Sequence, residues 1–442
     1  MSNTLSADEL NLDSPDWYEV HQSQLGFDVD WFQAKQAAAW KTWMDTPMPQ
    51  RTDERWRFAS LKQVRELGRF QPSGFTVPDQ PELIERSARL SKVAGRIVLL
   101  DDNLVVQDPI SAELASKGVI FTTLTDAIAR HPDLVQEYFM QQSPELGSEK
   151  FEALHVALLR NGVFLYVPDG VTVEEPLVVY NWAGKDGGAI FPHTLFVAGK
   201  GSKASLVEFQ ESVNPDSEHL VIANAHLYAA DDSRPTHSIV QNWSPRTLSF
   251  QLNTSNAQSR TQAKSVTINL GSSLARQEIH GRIFGSESNV ELYSLNVPRG
   301  GQEVDQRTLQ THIGPNSRSD LLFKNALMDK SRTIFSGLII VDPGAQQTDA
   351  YQTNNNLMLS EQAESNSLPG LEIGANDVKC SHGATTGRID ESELFYFQAR
   401  GIPRDKAQEL MVFGYFEEII RKLGDEEVVD CVRDLVQAKF IN

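Results

Sequence analysis

The run NGVFLYVPDGVTVEEPLVVYNWAGKDGGAIFPHTLFVAGKGSKASLVEFQ, Asn161 to Gln210, decides the fold. It holds four short stretches rich in Val, Leu, Phe and Tyr, residues that suit a pleated, half-buried backbone, with Gly, Pro, Asp and Asn between them as turn formers. No ten-residue helical pattern separates these stretches, which argues against alternating strand–helix units. The same texture continues through LVIANAHLYA (from Leu220), SVTINLG (from Ser265), RQEIHGRIFG (from Arg276) and RTIFSGLIIV (from Arg332) to about Thr385. Such a series of strands fits a sandwich, a propeller or a β-helix. No repeat motif chooses between them, although the polar turns are compatible with coils stacked along one axis.

Both flanks read as helical. Upstream, Trp31, Ala34 and Ala38 recur at steps of three and four, and Leu83, Ile84, Ala88 and Leu90 suggest a second amphipathic segment. Arg96 to Gln107 reads as an extended pair turning at Asp102–Asn103, and Leu124 to Met140 as a helix capped by Thr125 or Asp126. Downstream, Glu391 to Gly401 forms a short helix stopped by Gly401, and Pro403 opens a longer one ending at Gly424. Leu410, Phe413, Phe416, Ile420 and Leu423 are expected to form one apolar stripe on it. A last helix places Cys431 among Val428, Val432, Leu435 and Val436, as a core thiol. The expected division is a mostly helical region 1–160, a β region 161–385 and a helical region 386–442.

The chain has 442 residues and a net charge of -19, which argues against a nucleic-acid partner. No apolar run reaches the roughly 18 residues of a membrane span, and the acidic N-terminal stretch is unlike a signal peptide. Two cysteines exclude a disulfide scaffold and fit a reducing compartment, so the expected location is cytoplasmic. There is no P-loop, HExxH, GxSxG or CxxC, and no dinucleotide fingerprint.

The chemistry concentrates in NDVKCSHGAT, Asn376 to Thr385. Cys380 and His382 are separated by one residue, so on a strand both side chains share one face. A soft thiol and an imidazole suit iron, zinc or copper, but a protein site needs about four ligands. The remaining ligands need another source. Glu372 and Asp377 stand nearby, either as solvated turn carboxylates or as groups orienting the imidazole. His280 and His312 fall on strand-like runs and are expected to be satisfied by ordinary hydrogen bonds.

TDAYQTNNNLMLS (Thr348 to Ser360), LEIGANDVKCSHGAT (Leu371 to Thr385), TDERWRF (Thr52 to Phe58) and NGVFLYVPDGV (Asn161 to Val171) together resemble the SufB/SufD family of the iron–sulfur cluster assembly machinery. The resemblance implies a right-handed parallel β-helix core flanked by N-terminal and C-terminal helical domains, with no catalytic site of its own. It implies two partners, a SufB-like paralogue and a SufC-like ATPase, and an iron–sulfur cluster held transiently and shared with SufB. It assigns Cys380 and His382 to the metal-facing contact with SufB, and Arg400, Pro403, Leu410 and Phe413 to docking of the ATPase. A homodimer is expected where SufB is absent.

Within the family the chain resembles the SufD type. SufB-type chains carry a cysteine in the segment where this one has Asn354, Asn355 and Asn356, and a glutamate where it has Gly383. An amide cannot accept sulfur as a nucleophile and glycine offers no carboxylate, so sulfur acceptance falls to the partner. The asparagines have two readings, stacked amide ladders or a direct partner contact. Three other functions stay open: a SufB-like cluster scaffold, an independent metallochaperone that binds metal alone, and a carbohydrate-active β-helix enzyme with a carboxylate-lined groove. Trp56 in TDERWRF reads as an aromatic anchor between helix and loop.

Overall fold

The computed structural model describes residues 12, 14–15, 17–21, 25, 27, 29–73 and 81–441, so most of the acidic N-terminal stretch lies outside the described residues. The strand series folds as a parallel β-helix of eight coils, each contributing one strand to each of two sheets. Sheet I stacks Val163–Val167, His193–Ala198, His219–Ala229, Leu248–Ala257, Leu274–Ile283, Glu303–His312, Arg332–Val341 and Glu364–Ile373. Sheet II stacks Leu177–Ala183, Lys203–Ser212, Arg234–Asn242, Gln262–Asn269, Asn289–Asn296, Arg318–Leu327, Thr348–Met358 and Val378–Arg388.

Three kinds of contact hold the stack. The first is at the corners. Gly201, Asp232, Arg260, Glu287, Asn316 and Gln347 all adopt positive φ, and each donates its backbone N–H to a carbonyl of the next coil. A left-handed corner costs a non-glycine residue about 1 kcal/mol; here each corner also satisfies a donor between coils.

The second is inside. On sheet II, Asn181, Gln210, Gln241, Asn269, Asn296, Asn325 and Asn356 lie in register, one per coil. Asn269 donates to Asn296 at 2.7 Å, Asn296 to Asn325 at 2.8 Å, and Asn325 to Asn356 at 2.7 Å and Asn354 at 2.9 Å. An amide carries both donor and acceptor, so a buried column can satisfy itself along the axis. The amide-ladder reading therefore holds for Asn354 and Asn356. Asn355 is on the alternate face; its side-chain oxygen accepts from the Thr385 hydroxyl at 2.7 Å and its backbone carbonyl from the Tyr415 hydroxyl at 2.7 Å. The rest of the interior combines apolar side chains, among them Leu165, Val179, Phe196, Leu206, Ile279, Leu292 and Phe323, with buried polar groups such as Glu208 and His237, which bond each other at 2.6 Å.

The third is outside, where both sheets are covered. The N-terminal helices Asp30–Asp45 and Glu149–Leu158 lie on sheet I against Leu220, Phe250 and Leu274. The C-terminal helices Arg404–Ile420 and Glu426–Ile441 lie on sheet II against Val240, Val266, Tyr293 and Leu295. Strands covered on both faces lose their polar alternation, as strand Leu248–Ala257, buried throughout, illustrates.

The TDERWRF segment is fastened by charge. Arginines on three successive coils take its carbonyls: Arg276 binds that of Arg55 at 2.9 Å, Arg307 that of Arg57 at 2.8 Å, and Arg332 that of Phe58. Arg276 is fully buried, is neutralised by Glu278 and Asp305, and lies 3.8 Å over the Trp56 ring. Trp56 donates to the Gly147 carbonyl at 2.8 Å, which confirms its anchoring role.

Local details depart from expectation. The hairpin turns at Asp101–Asp102, both left-handed as a two-residue hairpin requires, one residue earlier than expected. Thr123 caps the helix Leu124–Arg130, and Pro132 starts a separate one. On Arg404–Ile420 the buried face is Ala407, Val412, Phe416, Ile419 and Ile420; Leu410 is 43% exposed, so the expected stripe is rotated by part of a turn.

Candidate functional site

Among the described residues, strand Val378–Arg388 is the outermost strand of sheet II and pairs only with Thr348–Met358. Its register sets Cys380 beside Ala350, His382 beside Gln352, Ala384 beside Asn354 and Thr386 beside Asn356. All four partners are buried and face the interior. Cys380 and His382 therefore share the inward face, as their spacing predicts, but among the described residues no ninth coil covers them. Cys380 is half-buried against Ile339, Val341 and Ala350, while His382 is exposed at the open mouth.

Burial pushes the Cys380 thiol above its ordinary value, opposed by a hydrogen bond with the Ala350 backbone. At neutral pH it is a thiol, and becomes a thiolate only when a metal displaces its proton. Among the described residues His382 makes no hydrogen bond or ion pair, so both ring nitrogens are free to turn toward an incoming group.

Neither nearby carboxylate joins the pair. Glu372 pairs with Ile340 on the outward face of Glu364–Ile373, one residue off the inward set Leu371 and Ile373. The Asp377 backbone is tied to Gln346 and Gln347 in the corner. Among the described residues no three His, Cys, Asp or Glu groups converge on a metal position. The pair supplies one soft sulfur and one imidazole on an unpaired strand edge, two of the about four ligands a metal site needs.

The other histidines are taken up by the fold. His280 bonds the Pro144 carbonyl and the Thr311 hydroxyl, and His312 bonds Ser317 and Ser319. Burial pulls His280 down to about 3 and His312 to about 4, so both are neutral. Cys431 packs at the rim of the sheet II core, its thiol pushed up to about 11 by burial.

Three of the four expected docking residues are exposed on the C-terminal segment. Arg400 stacks on Tyr396 with 3.5 Å between guanidinium and ring centroid, Pro403 precedes the long helix, and Leu410 is exposed. Phe413 is instead half-buried beside Phe440. Sequence reading missed Phe395 and Tyr396, 70% and 55% exposed on the helix Glu391–Gln398. The signal was present, since ELFYF has four consecutive leucine or aromatic positions, Leu394 to Phe397, that one helix face cannot bury together.

Comparison with known proteins agrees with this architecture. Residues 180–415 match the model described as "SUF system FeS cluster assembly, SufBD core domain", and residues 18–179 match the "SufBD protein N-terminal region". The chain is 32% identical to the iron-sulfur cluster assembly protein SufD of Bacillus subtilis over 336 residues, covering 75% of this chain and 76% of that one. Against SufD of Escherichia coli the identity is 28%, covering 86% of each. Against a SufBD family protein of Porphyra purpurea it is 29%, covering 79% and 73%. The chain belongs to the SufB/SufD family of iron–sulfur cluster assembly proteins, on its SufD side.

Proposed function

We propose that this chain is the non-catalytic, SufD-like subunit of a SufB–SufC–SufD assembly in a reducing cytoplasm. The supporting observation is the open eighth coil, where Cys380 and His382 face inward on a strand bonded along one side. Two edge strands of ten and eleven residues offer backbone donors and acceptors to a partner built alike. A SufB-like paralogue seated there completes the ligand set, and the cluster assembled between the two chains is cargo.

The surface of Tyr396, Arg400, Pro403 and Leu410, with Phe395 beside it, docks a SufC-like ATPase. Phe413 contributes by fixing the helix that presents Leu410. Closure of two ATPase subunits then acts on the helices and, through them, on the SufB contact, which requires the ATPase to bind open and closed arrangements with different affinity.

The test is co-purification with SufB and SufC, comparing wild type with His382→Ala for complex formation and for cluster absorbance after anaerobic reconstitution. The expected result is an intact complex with cluster reduced about tenfold or more. A full cluster in the variant reduces the role to scaffolding, and failure of the wild type to bind these partners removes the reading.

A further inference from the structure

The helix Glu426–Ile441 borders the loops that follow strands Lys203–Ser212, Arg234–Asn242 and Asn289–Asn296. Between them lies a cleft of about 330 Å³, lined by Arg86, Arg299 and Lys439 with Ser212, Asn242 and Ser244. The three cations come from three distant segments of chain. Among the described residues none of them forms an ion pair with a carboxylate. The one acid in the lining, Glu211, is held by both guanidinium nitrogens of Arg89. Its charge is therefore already compensated.

The cations are positioned rather than loose. Arg86 lies 4.3 Å over the Trp182 ring and donates to the Val213 carbonyl at 3.3 Å. Arg299 donates to the Lys439 carbonyl at 3.2 Å, and Gln302 accepts its backbone N–H at 2.9 Å. Each guanidinium keeps further N–H groups for a ligand. Among the described residues the Asn242 carboxamide makes no hydrogen bond. Three uncompensated cations sharing a cleft in a chain of net charge -19 repel one another unless an anion joins them.

We infer that this cleft is a phosphate-class oxyanion site in which Arg86, Arg299 and Lys439 provide the charge and Asn242 a neutral donor. Guanidinium groups match tetrahedral oxyanions through paired N–H donors, and an ammonium adds a compact charge. The volume suits a phosphate or diphosphate group, with anything larger attached to it remaining outside.

Lys439 supports this independently. Burial, and then the neighbouring Arg299, pull its ammonium down to about 8. On its far side Lys439 borders a second cleft that holds Asp329, Asp405, Glu409 and Lys406. There Asp329 accepts the Gly300 N–H and Glu409 is paired with Lys406, and neither reaches the Lys439 ammonium. Glu211 and Arg86 face it from the first cleft. An arriving oxyanion stabilises the charged lysine, so binding near pH 8 takes up a proton.

Calorimetric titration of the full chain with inorganic phosphate, pyrophosphate and ADP tests the site, using Tris and HEPES at pH 8 to count protons by their different ionisation enthalpies. Saturable binding at concentrations up to roughly 10 mM is expected, with proton uptake, and about tenfold weaker in Arg299→Gln and Lys439→Met. Tighter binding of pyrophosphate than ADP identifies a free oxyanion as the source; the reverse identifies a nucleotide. Lys439→Glu, which leaves the Arg299 hydrogen bond to the main chain in place, separates loss of charge from loss of folding, and circular dichroism checks each variant. Absence of saturable heat with all three probes, or unchanged affinity in folded Lys439→Glu, overturns the proposal. It is independent of cluster assembly, so complex formation with SufB and SufC neither supports nor damages it.

Discussion

Beyond the first coil each sheet ends in an antiparallel strand, Ile120–Thr123 directly on sheet I and, on sheet II, Asn103–Asp108, which follows the parallel strand Gly95–Leu100 in a hairpin. At the eighth coil Glu364–Ile373 and Val378–Arg388 have no outer neighbour among the described residues. The burial patterns follow. Leu177–Ala183 is buried along its whole length, whereas Val378–Arg388 is exposed or half-buried throughout. A short strand of reversed direction leading straight into a helix ends a parallel stack, because it offers little edge for another coil. Long parallel strands left bare invite one. The proposed partner contact lies at the unfinished end.

This contrast can be broken most severely by charge. Leu165→Asp in the first coil is expected to cost about 4 kcal/mol or more, since it buries a carboxylate in the apolar interior. Ser381→Asp, exposed on the last coil, should stay within about 0.5 kcal/mol. Equal urea midpoints for the two variants would falsify the distinction between the ends.

Acid sharpens it next. Burial holds His155 near 4, His226 near 3, His280 near 3 and His312 near 4, below the ordinary 6.5. The unfolded chain binds protons at these sites below 6.5 while the folded chain does not, so stability is full above 6.5 and is lost as pH falls toward 4. Glu152, raised to about 7, and Asp102, raised to about 6, act oppositely but are fewer. A net loss of about 3 kcal/mol from pH 7 to 5 is expected in urea unfolding. All four histidines lie in covered parts of the fold.

Smaller differences lie along the amide column. Asn296→Ala removes a donor and an acceptor between two buried amides and is expected to cost about 2 kcal/mol. Asn356→Ala, next to the open coil, should cost about 1 kcal/mol because water can replace its outer partners. At the corners, Glu287→Gly relieves a positive φ of 58° at an exposed site and should stabilise by about 0.5 kcal/mol, read as a shift in thermal midpoint.

The strands were legible in sequence because each stretch of Val, Ile, Leu and aromatics is bounded by turn formers. The coil was not. The register column Leu248, Leu274, Glu303, Arg332 and Glu364 advances by 26, 29, 29 and 32 residues, so no fixed period exists to detect. The equivalent corner position is filled by Gly, Asp, Arg, Glu, Asn or Gln, because the inter-coil hydrogen bond is made by backbone and indifferent to side chain. Cys380 and His382 were singled out by their spacing together with the family resemblance, and their shared face follows from strand geometry. Their position at an open mouth depends on which coil is last, and no local pattern encodes that. The cleft of Arg86, Arg299 and Lys439 was invisible for a related reason, as its members are separated by up to several hundred residues and meet only through the stack.

The strand carrying Cys380 is laced to its neighbour by a single row of hydrogen bonds and continues at once into the C-terminal helices. Those helices are rooted further back, where Lys324 holds the Tyr415 carbonyl and Glu418, and Lys422 reaches the Tyr293 hydroxyl. Considered as a mechanical object, the chain has a strong anchor on coils five and six and a weak seam at coil eight. Tension on the helices would peel the final strand like the last turn of a coiled rope, while the seven turns behind it kept their lay.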